Sequence, residues 1–159
     1  MAETNDTFSV LVARYSAVWE LTNHTGATRA SLMASFKPPH WRGVYVIYRL
    51  EQIEPLYIGS AGKLERGPNG VKNVGQTVRQ RLFYANQPYY FEREVHVWRY
   101  RPFDSHVPPA GYHANIPICD IRIESFHVPD AHAPSALEHL LLQSCVNEFG
   151  NLPQANQKF

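Results

Sequence analysis

The sequence predicts an α+β domain: a small antiparallel β-sheet flanked by helices, with a helical extension at its N-terminal end. Three observations predict it. β-Branched and aromatic runs at 44–48 and 56–58, and an alternating run at 119–126, have strand character. Apolar residues at helical spacing stand near both ends of the chain. Twelve prolines and nine glycines punctuate what lies between, which argues against a long bundle or coiled coil. At 159 residues and 44% hydrophobic composition, the chain can bury one core but is short for two ordinary domains.

Taken in order, Asp6 is a natural N-cap, and Phe8, Leu11, Val12, Tyr15, Val18 and Trp19 follow at helical spacing. A helix over residues 7–24, closed by Gly26, is expected. Residues 27–42 fit a short helix broken at Lys37-Pro38-Pro39. Strands follow at 44–48 and 56–58, joined by a hairpin loop over 51–55. The glycine-punctuated stretch 62–70 reads as a polar loop. A helix over 74–85 carries Arg79 and Arg81. A strand over 94–101 sets Val95 and Val97 on one face and His96, Trp98 and Tyr100 on the other. Residues 102–117 hold prolines and histidines without period and read as a surface loop or insertion. The 119–126 strand turns Cys119, Ile121 and Ile123 inward and Asp120, Arg122 and Glu124 outward. A last helix opens near Pro134 and runs through Leu137, Leu140, Leu141, Cys145 and Phe149 to Gly150. The organisation is an N-terminal helical arm, 1–41, then a main domain, 42–159, with an insertion loop near 102–117.

The net charge of +1 lacks the bulk basicity of a histone-like or membrane-coating protein. The distribution is uneven. Residues 60–103 carry Lys63, Arg66, Lys72, Arg79, Arg81, Arg93, Arg99 and Arg101 against Glu65, Glu92 and Glu94, a local +5. These cations alternate with aromatics, from Phe83 to Tyr100, in a pattern that suits nucleic acid; a solvated face would look the same. Two cysteines without a CxxC exclude a zinc ribbon and a disulfide scaffold. The acidic, polar opening predicts no signal peptide, and no run approaches the ~18 apolar residues of a membrane span. The expectation is a soluble cytoplasmic protein. Eight histidines show no HExxH or comparable spacing. Cys145 lies on the leucine face of the last helix and reads as a small core residue. P-loop, GxGxxG and GxSxG motifs are absent.

Gly43-Val44-Tyr45 opens the first strand of the hairpin and Tyr57-Ile58-Gly59 closes the second, with 11 residues between the tyrosines. Tyrosines on adjacent strands can lie close together, beside glycines that admit another backbone or a ligand; they can equally be packing residues. The spelling and spacing resemble the GIY-YIG nuclease superfamily over roughly residues 42–159. Gly43-Val44-Tyr45 and Tyr57-Ile58-Gly59-Ser60-Ala61 match its two signature strands. Arg81-Leu82 matches the helical arginine, Glu138 the metal-binding glutamate, and Asn156 the terminal asparagine. The sequence departs from the pattern in a long link between the second tripeptide and the arginine helix. Position 85, where some members have a histidine or tyrosine, is alanine.

The resemblance implies a GIY-YIG-like core and a Mg²⁺- or Mn²⁺-dependent endonuclease that hydrolyses DNA without a covalent intermediate. Tyr45, Tyr57, Arg81, Glu138 and Asn156 would be its catalytic set, with Glu138 holding the metal. Phosphodiester cleavage needs a positioned oxygen nucleophile and relief of charge on phosphorus and on the departing oxygen. A carboxylate suits Mg²⁺, and an arginine gives phosphate oxygens a permanently charged fork. Tyr45 would position or deprotonate the attacking water, and Tyr57 would orient water or phosphate. Lys63, Arg66, Lys72 and Arg79 are candidate DNA contacts, and on dyad-symmetric DNA a homodimer would be natural. Three assignments have rivals: Ser135 to Glu138 also spells a capping box, Arg79 competes with Arg81, and Asn151 competes with Asn156. A nucleic-acid-binding module with a silent nuclease site is the alternative function.

Overall fold

The computed structural model describes residues 6–14, 19–21, 42–83, 89–91, 97–100, 114–117, 120–128, 132–153 and 156. They form α1 (Phe8–Val12), β1 (Trp19–Leu21), β2 (Gly43–Arg49), β3 (Pro55–Ala61), β4 (Lys63–Gly67) and β5 (Gly70–Val74). Then follow α2 (Val78–Phe83), β6 (Tyr89–Phe91), β7 (Val97–Tyr100), β8 (Ala114–Pro117), β9 (Ile121–His127) and α3 (Pro134–Phe149). The main sheet is antiparallel in the order β1-β9-β2-β3; β4 and β5 form a separate ribbon, and β6-β7-β8 a third sheet. The α+β class agrees with the expectation, but in place of the single small antiparallel sheet the described residues form three.

β2 runs between β9 and β3, and six of its seven residues are buried. A strand covered on both faces needs apolar side chains at nearly every position, and Val44 to Tyr48 supplies them. On one face Val44, Val46 and Tyr48 join Ile58 and Phe126 in a cluster with Phe8 and Leu11 of α1 and Leu137, Leu141, Leu142 and Cys145 of α3. On the other face Tyr45, Ile47, Ile121 and Ile123 are also fully buried. α2 contacts β2 and β3 and contributes the buried Val78 and Leu82. Cys145 is the small core residue its leucine face suggested, and burial pushes its thiol pKa up.

The N-terminal segment departs from the expected helix over 7–24. α1 has five residues, and Trp19–Leu21 is instead an edge strand paired with Ser125 to Ile123 of β9. Local spacing favoured a helix, but pairing satisfies backbone groups along β9 that would otherwise lack partners. The N-cap is Thr7, without a side-chain cap bond, while Asp6 forms an ion pair with Arg14. The early N–H group of Ser9 is satisfied from a distance, by Glu148 Oε1 of α3 at 2.9 Å. Residues 15–18 and 22–41, and with them the expected short helix, lie outside the described residues.

Three further expectations change. The polar loop over 62–70 is largely the β4–β5 ribbon, turning at Pro68-Asn69 with Gly70 at φ 114°. The helix expected over 74–85 begins only at Val78, because Val74 completes β5. Thr77 and Gln80 form a reciprocal capping box: Thr77 N–H donates to Gln80 Oε1 at 2.9 Å, and Gln80 N–H to Thr77 Oγ1 at 3.3 Å. Positions 84 and 85 lie outside the described residues. At the end of the expected 102–117 loop, Ala114–Pro117 is β8, paired with β7. The described part of the strand over 94–101 is β7.

Arg122 and Glu124, expected to point outward, are only 24% and 18% exposed, on the sheet face that α1 and α3 cover. Arg122 stacks 3.7 Å from the Tyr48 ring centroid, bonds Glu124, and donates to the Gln52 carbonyl at 3.2 Å. Pairing and cation–π contact make their burial tolerable.

Gly43 fits because β9 passes so close that a Cβ at position 43 would overlap the Phe126 carbonyl oxygen. Gly43→Ala is expected to destabilise the fold by about 3 kcal/mol, since backbone rather than a flexible side chain must move. An unfolding free energy from urea titration within about 0.5 kcal/mol of wild type would contradict this close packing.

Candidate functional site

The site grows out of the β2–β3 hairpin. Its register sets Tyr45 opposite Gly59 and Ile47 opposite Tyr57, so the two tyrosines are diagonal neighbours on one face. Their ring centroids lie 6.1 Å apart with planes at 33°. A Cβ on residue 59 would stand 2.5 Å from the Tyr45 Oη and Cζ and 2.8 Å from Tyr57 Cε1. Both rings therefore close over a position that only glycine can occupy. Tyr45 is 0% exposed, whereas Tyr57 is partly open to solvent.

Strand alternation turns Ser60 to the opposite face, toward α3. There its hydroxyl donates to Glu138 Oε2 at 2.7 Å. The rival capping-box role for Glu138 is excluded. The α3 N-cap is Ala133 and Pro134 begins the helix, which sets Glu138 beyond the first turn, on Ser60. Burial raises the Glu138 pKa, and the Ser60 hydrogen bond and the charges of Arg81 and His139 offset only part of that effect. Ser60 and Arg81 also line an open cleft of about 420 Å³ with Ala61, Gly62, Lys63, Gly75 and Gln76. Two cations thus face the cleft, with one carboxylate behind Ser60.

Asn156 does something the sequence did not suggest. Its Oδ1 accepts from the Ile58 N–H at 2.9 Å, and its Nδ2 donates to the Ile58 carbonyl at 3.0 Å. The amide pairs both backbone groups of an edge strand as a neighbouring strand would, between Tyr57 and Gly59. Asn151 is exposed just after Gly150, the left-handed residue that closes α3. Lys63, Arg66 and Lys72 are exposed on the ribbon, with Lys63 also reaching the cleft. Arg79 belongs to α2, but its side chain lies outside the described residues.

Hence the structure joins Tyr45 to Tyr57 and sets Glu138 and Arg81 within electrostatic reach of one another, while Asn156 braces the strand between. Ser60 had no assigned role in the sequence. Its signal was alternation, which put a hydroxyl on the face opposite the two tyrosines. Glu138, the carboxylate expected to hold Mg²⁺ or Mn²⁺, stands behind Ser60 and outside the residues that line the cleft; a hard ion that retains several waters needs few protein oxygens. Among the described residues, no group of three His, Cys, Asp or Glu gathers into a closed metal cage. No helix among them is long and apolar enough to cross a membrane. The chain matches no protein-family model, no curated protein and no solved structure.

The raised pKa of Glu138 has a thermodynamic consequence. Its stabilising contribution is full below the ordinary carboxyl pKa, where the side chain is neutral, and is lost as pH rises through the higher folded-state value. Glu138→Gln retains an acceptor for Ser60 and cannot ionise. Relative to wild type, it is expected to gain stability as pH rises from about 4 to about 8. Urea unfolding at both pH values checks this, and a relative loss across that interval would contradict it.

Proposed function

We propose that this chain is a metal-dependent DNA endonuclease of the GIY-YIG type, using Mg²⁺ or Mn²⁺. The observation that carries the reading is the pair of cations, Arg81 and Lys63, at one open cleft, with Glu138 held by Ser60 behind its wall and within electrostatic reach of Arg81. The cleft adjoins a hairpin in which Tyr45, Tyr57 and Gly59 interlock. A cationic cleft with one carboxylate suits a phosphodiester bridged to a hard cation.

In this reading Arg81 and Lys63 attract and neutralise the phosphate oxygens. Glu138, oriented by Ser60, would hold the cation. That cation would supply Lewis-acid stabilisation of the phosphoryl charge and the departing oxygen. The resemblance assigns Tyr57, which solvent can reach on the face of β3 opposite Ser60, to orienting the attacking water by hydrogen bonding. Tyr45, fully buried, fixes Tyr57 and Gly59. Water oxygen bonds to phosphorus as the phosphorus–oxygen bond of the leaving nucleotide breaks. The water's proton passes to solvent, and the departing oxygen is protonated in turn.

The burial of Tyr45 favours a second reading, in which the same surface binds DNA without cutting it. Plasmid incubated with Mg²⁺ or Mn²⁺ distinguishes the two. Wild type is expected to cleave, and Glu138→Gln and Arg81→Ala to lose at least about 10²-fold in rate. Tyr57→Phe is expected to lose about tenfold while staying folded. Uncut plasmid from folded wild type that still retains DNA in EDTA would establish the silent binding module instead.

A further inference from the structure

The β4–β5 ribbon has a construction that the proposed chemistry does not require. It leaves the main sheet at Gly62, φ 105°, and returns at Gly75, φ 86°, so two left-handed corners carry it away from β3. Its base is fixed. Arg42 Nε and Nη2 donate to the Gly75 carbonyl at 3.1 and 3.0 Å, and the base residue Asn73 is buried. Its tip is free: Glu65, Arg66, Gly70, Val71 and Lys72 are all exposed, Val71 at 54%.

Register determines how the charges are distributed. Lys63, Glu65 and Lys72 share one face, because Lys63 and Glu65 are two apart and Glu65 pairs with Lys72. Arg66 and Val71 are a directly opposed pair on the other face. Cations therefore stand on both faces, three against the single carboxylate of Glu65, which lies 3.6 Å from Lys63. The ribbon carries no aromatic side chain.

We propose that this ribbon enters the major groove of double-stranded B-form DNA, bringing the phosphate backbone to the cleft at its base. The inference rests on the nuclease reading of that cleft and names the form of DNA it takes. A groove has a phosphate wall on either side, which a ribbon cationic on both faces can contact at once. A single strand has one backbone and is usually gripped by stacking aromatics, which are missing here. Five residues per strand reach about 17 Å, and two strands lie ~4.8 Å apart. The B-DNA major groove, ~12 Å wide and ~8.5 Å deep, admits such a ribbon. The major groove of duplex RNA is too narrow for side chains to read. Since Lys63 lines both ribbon and cleft, a phosphate wall followed to the ribbon base meets Arg81.

Binding without cleavage tests this, using the full chain as Glu138→Gln in EDTA. The probes are a DNA duplex of about two helical turns, either of its single strands, and an RNA duplex of the same sequence. The DNA duplex is expected to bind tightest. Adding Arg66→Ala and Lys72→Ala together should weaken duplex binding about tenfold or more and reduce the salt slope by about two, leaving single-strand binding unchanged. Glu65→Gln, which removes the one opposing carboxylate, should tighten duplex binding, a gain that misfolding cannot produce. Equal losses for duplex and single strand, or duplex affinity indifferent to all three substitutions, would overturn the inference. The two readings fail separately. Metal-dependent cleavage with no ribbon effect removes only the groove assignment. Ribbon-dependent duplex binding without cleavage removes only the nuclease. A wild type that binds no DNA removes both.

Discussion

The Tyr45 ring occupies the volume that a side chain at position 59 would need, and much of the candidate site follows from that exchange. Because the ring crosses β3 at a glycine, it packs against the strand and stays out of solvent. Tyr57 then lies beside it, and Ser60 is directed to the far face, where it meets Glu138. Gly43 plays the matching part at the other side of β2, admitting the β9 backbone. Two missing side chains on neighbouring strands thus allow a central strand with close neighbours on both sides. Such an arrangement is intolerant of added volume, because an interior packed to crystal-like density has no slack to give.

Long-range polar contacts then fix details that apolar packing leaves open. Asn156 seals the Ile58 edge, Ser60 holds Glu138, Glu148 satisfies the start of α1, and Arg122 bridges Tyr48 and Glu124. Each hydrogen bond adds only about 1 kcal/mol net, yet leaving one of these groups buried and unpaired costs more. Their effect is mainly on specificity: the helices meet the sheet at the positions where these partners coincide. Glu138 is the exception that remains energetically uneasy, with burial outweighing the groups that favour its charge. A carboxylate kept at some cost within reach of an arginine is a feature more often retained for chemistry than for stability.

Among the described residues of the basic middle third, Lys63, Arg66, Lys72 and Arg81 stand at the ribbon and the cleft, and Lys63 belongs to both. A chain with a net charge of only +1 thus has a locally positive surface at these residues. The carboxylates of the C-terminal third lie partly elsewhere: Glu124 is neutralised by Arg122 on the main sheet and Glu148 is engaged at α1. Charge was uneven in sequence, and for these residues it stays uneven in space.

The sequence by itself determined the α+β class, the strand cores of β2, β3 and β9, and α3 from its N-terminal proline to its closing glycine. Those elements carry their reason locally, in β-branched runs, alternation and terminal residues. It also singled out Tyr45, Tyr57, Arg81, Glu138 and Asn156 as residues worth locating. Tertiary structure alone decided the rest. Trp19–Leu21 is a strand because β9 offers an edge, although its spacing is equally helical. Residues 63–74 form a ribbon because Gly62 and Gly75 turn the chain out and back, which composition had rendered only as a loop. Glu138 faces Ser60 across 78 residues, and Asn156 reaches Ile58 across 98. Pairings at such separations are invisible to local pattern. Their partners are selected by register and packing, which exist only once the chain has folded.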